Sequence, residues 1–183
     1  MSSLADLEAI IGPPGIPPPV VDWPAIELHT GLVFPSDYKS WASRYSTLEF
    51  DEFLLVSKPG GNSNPQEFIQ GWSDVLGNMR QWATRFGEIE LVDDNDVPTA
   101  ASPFPVYPSV GGLFPWGSTT NGDYCCWLTD PDPDRWTIVI TTLHQWWHYP
   151  GTFTDFLVGL LTAQVRCPMF GAEGLVGATV EEL

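Results

Sequence analysis

A chain of 183 residues that is 43% apolar, with nine Trp and ten Phe, can build one domain with a real core and is too aromatic to be disordered. Its net charge of −16, from 23 acidic against seven basic residues, excludes the clustered Lys and Arg that nucleic acid or an anionic membrane surface demands. Such a charge suits a soluble protein whose charged partner, if it has one, is basic.

No apolar run reaches the roughly 18 residues of a membrane span. The start Met1-Ser2-Ser3-Leu4-Ala5-Asp6 lacks the basic n-region of a secretory signal. The three cysteines are an odd number, and Cys125 and Cys126 are adjacent, so on a strand they face opposite ways. Neither a disulfide framework nor a metal knuckle is indicated. The expectation is a cytoplasmic protein whose thiols are small buried hydrophobes.

In chain order, Ser2 or Ser3 can cap a short helix with Leu4, Leu7, Ile10 and Ile11 on one side, ended by Gly12. The run Pro13-Pro14-Gly15-Ile16-Pro17-Pro18-Pro19 must be an extended, stiff connector. Residues 1–19 therefore read as a helix strapped to the body by a polyproline segment. Asp22 caps a second helix, with Pro24 in its first turn and Gly31 at its end. A third begins at Ser36 with Tyr38, Trp41, Ala42 and Tyr45 at helical spacing. Leu48–Val56 predicts one or two short strands.

Asn64-Pro65-Gln66-Glu67 is a strong helix start. It opens a wide apolar stripe of Phe68, Ile69, Trp72, Val75, Leu76, Met79, Trp82 and Phe86, expected to be core. Glu90, Asp93, Asp94 and Asp96 then form an acidic patch, followed by a proline-rich loop. Asn121-Gly122 between two apolar runs predicts a hairpin joining Leu113–Trp116 to Tyr124–Leu128. Asp130-Pro131-Asp132-Pro133-Asp134 is a turn into the β-branched run Thr137–Thr141, a central strand. His144–Tyr149 is a further strand antiparallel to it, and Thr152 caps a closing helix. Residues 167–183 read as a weakly ordered tail. Helices first, strands next and a helix last predict an α+β fold with a mostly antiparallel sheet.

Four pieces fall in a distinctive order: the capped helix at Trp23; Phe34-Pro35-Ser36-Asp37-Tyr38; the hairpin from Pro115-Trp116-Gly117 through Asn121-Gly122-Asp123 to Trp127; and Phe153-Thr154-Asp155-Phe156-Leu157. In this order the chain resembles the SUKH superfamily, which includes the fungal Smi/Knr cell-wall-synthesis regulators and many bacterial immunity proteins. The resemblance covers residues 20–166, read as a single α+β domain. It departs at Phe34, where the family often carries Leu, and residues 57–110 and the tail add nothing to it. It implies a domain that binds another protein, and for bacterial members one that neutralises a polymorphic toxin, often a nuclease, inside the producing cell. On that basis Trp23, Pro35, Asp37, Tyr38, Trp116, Gly117, Gly122, Asp123, Trp127 and Phe156 are structural, with Trp116 and Trp127 packed against the helices and Asp37 and Asp123 bonded to nearby backbone.

For catalysis the chain offers His29, His144, His148, its cysteines and many carboxylates. It holds no His-Glu-x-x-His, phosphate loop or nucleophile elbow. On a strand, His144 and His148 lie about 13 Å apart, too far to share a metal. The expectation is a non-catalytic immunity protein with no metal or cofactor. Asp93, Asp94, Asp96, Asp130, Asp132 and Asp134 would face a basic toxin domain, and whichever of Trp146 and Trp147 points outward would anchor it. A regulatory adaptor for an endogenous protein is the alternative, and a hydrolase or metal enzyme a distant third.

Overall fold

The computed structural model describes residues 2–18, 20–59, 65–171 and 174–183. Local chemistry decides where the helices begin and end. Ser3 accepts from the Asp6 amide while the Asp6 carboxylate accepts from the Ser3 amide, closing a capping box on α1 (Leu4–Ile11). The Asp22 carboxylate accepts from the Ala25 amide at the start of α2 (Trp23–Thr30), and Gly31 ends that helix in the left-handed conformation. Pro35 occupies the cap position of α3 (Ser36–Arg44). Strands β1 (Leu48–Phe50) and β2 (Leu54–Val56) follow, then the long α4 (Pro65–Phe86). Asn64, the expected cap of α4, lies outside the described residues.

The segment expected to be an acidic patch and loop instead contributes β3 (Ile89–Val92) and β4 (Pro98–Ala101). The hairpin is β5 (Leu113–Thr119) and β6 (Tyr124–Leu128). It is succeeded by β7 (Thr137–Thr141), β8 (Gln145–Tyr149) and α5 (Phe153–Leu161), whose cap Thr152 accepts from the Asp155 amide. The last strand is β9 (Val180–Glu182).

Among the described residues the strands form one 9-stranded sheet in the order β4-β3-β8-β7-β6-β5-β2-β1-β9. Every neighbouring pair is antiparallel except β3 with β8. The fold is α+β, as expected.

Alternation along the central strands sends residues to both sides, and both sides are covered. Cys125, Trp127, Ile138, Ile140 and Trp147 face the larger core with α1, α2, α3 and α5. Cys126, Val139 and Trp146 face a smaller one under α4, with Leu76 and Met79. This overturns the outward-facing anchor expected at Trp146 or Trp147. They do point opposite ways, but Trp146 is 0% and Trp147 2% exposed, because the sheet has no solvated face here. The stripe of α4 is also less buried than its pattern suggests. Leu76 and Met79 are fully packed, whereas Phe86, at the last residue of the helix, is 50% exposed.

The terminal segments pack on the body. The Ser2 amide donates to Asp155 on α5, Glu8 pairs with Arg44 at 2.7 Å, and the Gly15 amide of the proline connector donates to Glu182 on β9. Pro19 at the end of that connector lies outside the described residues. The weakly ordered tail expected over 167–183 holds a short 3-10 turn, Pro168–Phe170, and β9 pairs with β1 in register Glu49↔Glu181. The tail is short of large side chains, which is why periodicity missed a strand made mostly of backbone pairing.

The hairpin turn contains a buried carboxyl. Asp123 is 3% exposed and accepts from the Thr119 hydroxyl at 2.6 Å. Burial pushes its carboxyl above the usual carboxylate range. The unfolded chain releases this proton near pH 4, so the folded state binds more protons above that point and loses stability as pH rises through the raised value. Asp123→Asn, which keeps the acceptor without the charge, should remove that loss. Urea unfolding at pH 4 and pH 8 checks it: the wild type's stability minus the variant's should fall between the two, and a constant difference would refute the assignment.

Candidate functional site

The four sequence pieces singled out above lie mostly in the cores and turns. Pro35, Tyr38, Trp116, Gly117, Asp123, Trp127 and Phe156 are buried, Trp23 is half-buried, and Gly122 is exposed in the turn with a φ of 90°. Asp37 ties two helices together, its carboxylate accepting from the Tyr38 amide at 2.7 Å and from the Thr154 amide of α5 at 2.9 Å. The Tyr38 hydroxyl donates to the Ser57 carbonyl at 2.6 Å, and burial raises its pKa. Asp37 bonds to backbone amides, whereas the Asp123 carboxyl accepts from the Thr119 hydroxyl and not from the nearby backbone expected of it.

The two acidic turns come together at one end of the sheet. β3 and β8 run parallel, β7 runs against β8 and β6 against β7, so the ends of β3, β8 and β6 and the starts of β7 and β5 share that end. Strands β3 and β6 stand three places apart, about 14 Å at the usual spacing. Asp93, Asp94 and Asp96 occupy the β3–β4 turn, and Asp130, Asp132 and Asp134 the β6–β7 connection.

Each of these carboxylates also has local work, which composition alone does not reveal. Asp93 accepts from the Asn95 and Val97 amides, and the Val97 bond, then the Asn95 bond, holds its carboxyl below the usual range. Asp94 accepts from the Trp147 indole at 2.9 Å, and Asp96 pairs with Arg166 at 2.8 Å. Asp130 accepts from the Asp132 amide, Asp132 from the Asp134 amide, and Asp134 from the Ser36 amide at the start of α3. Bonds from Ser36 lower the Asp134 carboxyl as well. The acidic end is thus charged and geometrically fixed.

The catalytic candidates do not converge. His144 stands just before β8 and faces Glu90 at 3.3 Å, while His148 is half-buried against the Thr137 hydroxyl at 2.9 Å. His29 is exposed near the end of α2. Cys125, Cys126 and Cys167 are free and buried, and burial raises each thiol well above its ordinary value. Buried Lys58 donates to the Ala42 and Tyr45 carbonyls at 2.6 and 2.9 Å, and burial brings its pKa down to about 8. Among the described residues no group of three or more His, Cys, Asp or Glu side chains is placed to hold a metal ion. No helix among them is long and apolar enough to cross a membrane.

Beside the acidic end lies a groove of about 460 Å³ that sequence patterning does not reveal. One wall is Thr30 at the end of α2 with Gly31–Val33 after it; the other is the loop 107–111; Thr129–Pro131 and Trp136 complete it. The Tyr107 hydroxyl donates to the Thr30 carbonyl at 2.8 Å, joining the walls. The loop folds tightly on itself at Gly112, where a Cβ would stand 2.5 Å from the Tyr107 nitrogen. The only signals in the sequence are glycines and prolines, which mark a turn without saying what it faces.

No protein-family model matches the chain, and no curated protein or solved structure matches it either. The surface features that remain are the acidic turns and the groove.

Proposed function

We propose that this chain is a non-catalytic protein-binding domain, and specifically an immunity protein that neutralises a basic toxin domain inside the cell. The observation that carries the reading is the gathering of both acidic turns at one end of a sheet whose two faces are covered. A rigid body that offers a fixed field of one sign steers an oppositely charged protein and lowers the encounter barrier. The resemblance to SUKH proteins supplies the toxin.

Co-expression with a basic domain encoded beside this gene, followed by affinity purification, tests the reading; absence of a stable complex counts against it. If the complex forms, its association rate should fall by about tenfold or more from low to high salt. Asp132→Asn and Asp134→Asn together keep the side-chain oxygens that cap the turn and remove two charges. The double variant should slow association severalfold and leave dissociation nearly unchanged. A salt-independent rate would favour the adaptor reading, for which exposed Val110 and Leu28 speak, because apolar contacts respond little to ionic strength.

A further inference from the structure

Val110, at 89%, is the most exposed large apolar side chain among the described residues, and it sits at the groove. Val110 stands on the loop wall. Val33, 54% exposed, stands on the facing wall just after α2, and half-buried Leu32 lines that wall beside it. A single exposed valine needs no explanation, but three aliphatic side chains around one depression form a patch that water covers poorly. The groove is already shaped. Its Trp136 ring is held by a bond from the indole to the Asp130 carbonyl at 2.8 Å, and the Tyr107–Thr30 bond spans its walls.

Among the described residues the groove is lined by one charged side chain, Asp130; Arg80 of α4 reaches the loop wall at the Tyr107 carbonyl, 2.6 Å away, without lining the groove. The carbonyl end of α2 faces the same space, carrying the partial negative charge of a helix C-terminus with only exposed His29 to offset it. Asp132 and Asp134 follow directly along the chain from the groove's own Pro131.

The geometry points to this groove as the docking site for a basic, amphipathic segment of a protein partner, which places an aliphatic side chain between Val33 and Val110 and directs a flanking Lys or Arg to Asp130. The inference rests on the protein-binding reading above and adds where the partner sits and what chemistry it presents. Charge complementarity selects the occupant: an acidic or uncharged apolar segment would bury Asp130 without compensation.

Two-dimensional amide NMR of the full chain, titrated with the peptide Lys-Leu-Lys-Leu-Lys, tests it. The Gly31, Val33, Val110 and Gly111 amides should shift first and saturably. Asp130→Asn and Val110→Ser should each weaken binding by about fivefold. Both positions lie at the surface, and unchanged peaks elsewhere report an intact fold. Equal binding of Lys-Gly-Lys-Gly-Lys, shifts centred on the Asp93–Asp96 turn, or no saturable shift at millimolar peptide would each overturn the groove assignment. The two readings fail separately. A basic toxin domain that binds while the groove amides stay unprotected sinks the groove alone; a groove that binds the peptide in a protein with no basic partner sinks the immunity reading alone.

Discussion

Replacing Trp127 with Ala should remove about 4 kcal/mol of unfolding free energy, a large share of what a domain of this size possesses. Trp127 is 0% exposed and sits at the centre of the aromatic core. The rings of Phe34, Tyr38, Phe114, Trp116, Trp136 and Phe153 lie 4.6 to 6.5 Å from it. Deleting the indole leaves a cavity that covalently tethered neighbours from β5, α3 and α5 cannot collapse to fill. The indole N–H itself has no acceptor among the described residues, so packing and not hydrogen bonding carries the effect. Trp127→Phe discriminates: it keeps a ring, drops an unpaired donor and should cost less than half as much. Urea denaturation at neutral pH measures both. Equal losses for Ala and Phe would mean that the indole N–H, not the ring, matters.

Gly117→Ala should cost about 3 kcal/mol for the addition of a single methyl group. A Cβ at Gly117 would stand 2.4 Å from the Leu55 carbonyl oxygen, a backbone atom held in the β2–β5 ladder by the pairing Val56↔Gly117. Relief requires β2 to move away from β5, which also disturbs the irregularity between Pro115 and Gly117 where β5 changes register against β6. Gly122→Ala is the comparison. It has a φ of 90° and open space around it, so it should cost about 1–2 kcal/mol through backbone strain alone. Thermal unfolding of the two variants ranks close approach above dihedral strain; the reverse ranking would place β2 farther from the hairpin than described.

The helices and the central hairpin were legible because their signals are local. Ser3 with Asp6, Asp22 with Gly31, and Thr152 all act within a turn of where they stand, and Asn121-Gly122 needs only its own dihedral freedom. What escaped depends on partners far along the chain. β3 and β4 read as a charged loop because Glu90 and Asp93 mask Ile89, buried under α4, and Val92, paired with Trp147 of the parallel neighbour β8. β9 is recruited by β1, more than a hundred residues earlier, through backbone bonds that leave no hydrophobic trace. The misplacement of Trp146 and Trp147 has the same root: alternation says that two adjacent residues part company, but not whether each side meets water or a helix. The acidic turns could be listed from sequence, yet their meeting at one end follows from strand order, and the groove from a glycine-dependent fold of the loop 107–112.

Covering both faces of the sheet leaves the strand-end loops as the surface with most freedom to change. Residues 93–97, 108–111 and 130–134 can vary in shape and charge without entering either core, provided Gly112 and the capping oxygens survive. Such a division lets partner choice evolve by resculpting three short connections while folding stability stays with the rings of the two cores. Retargeting this protein should accordingly be a problem of loop grafting, solvable without repacking its interior.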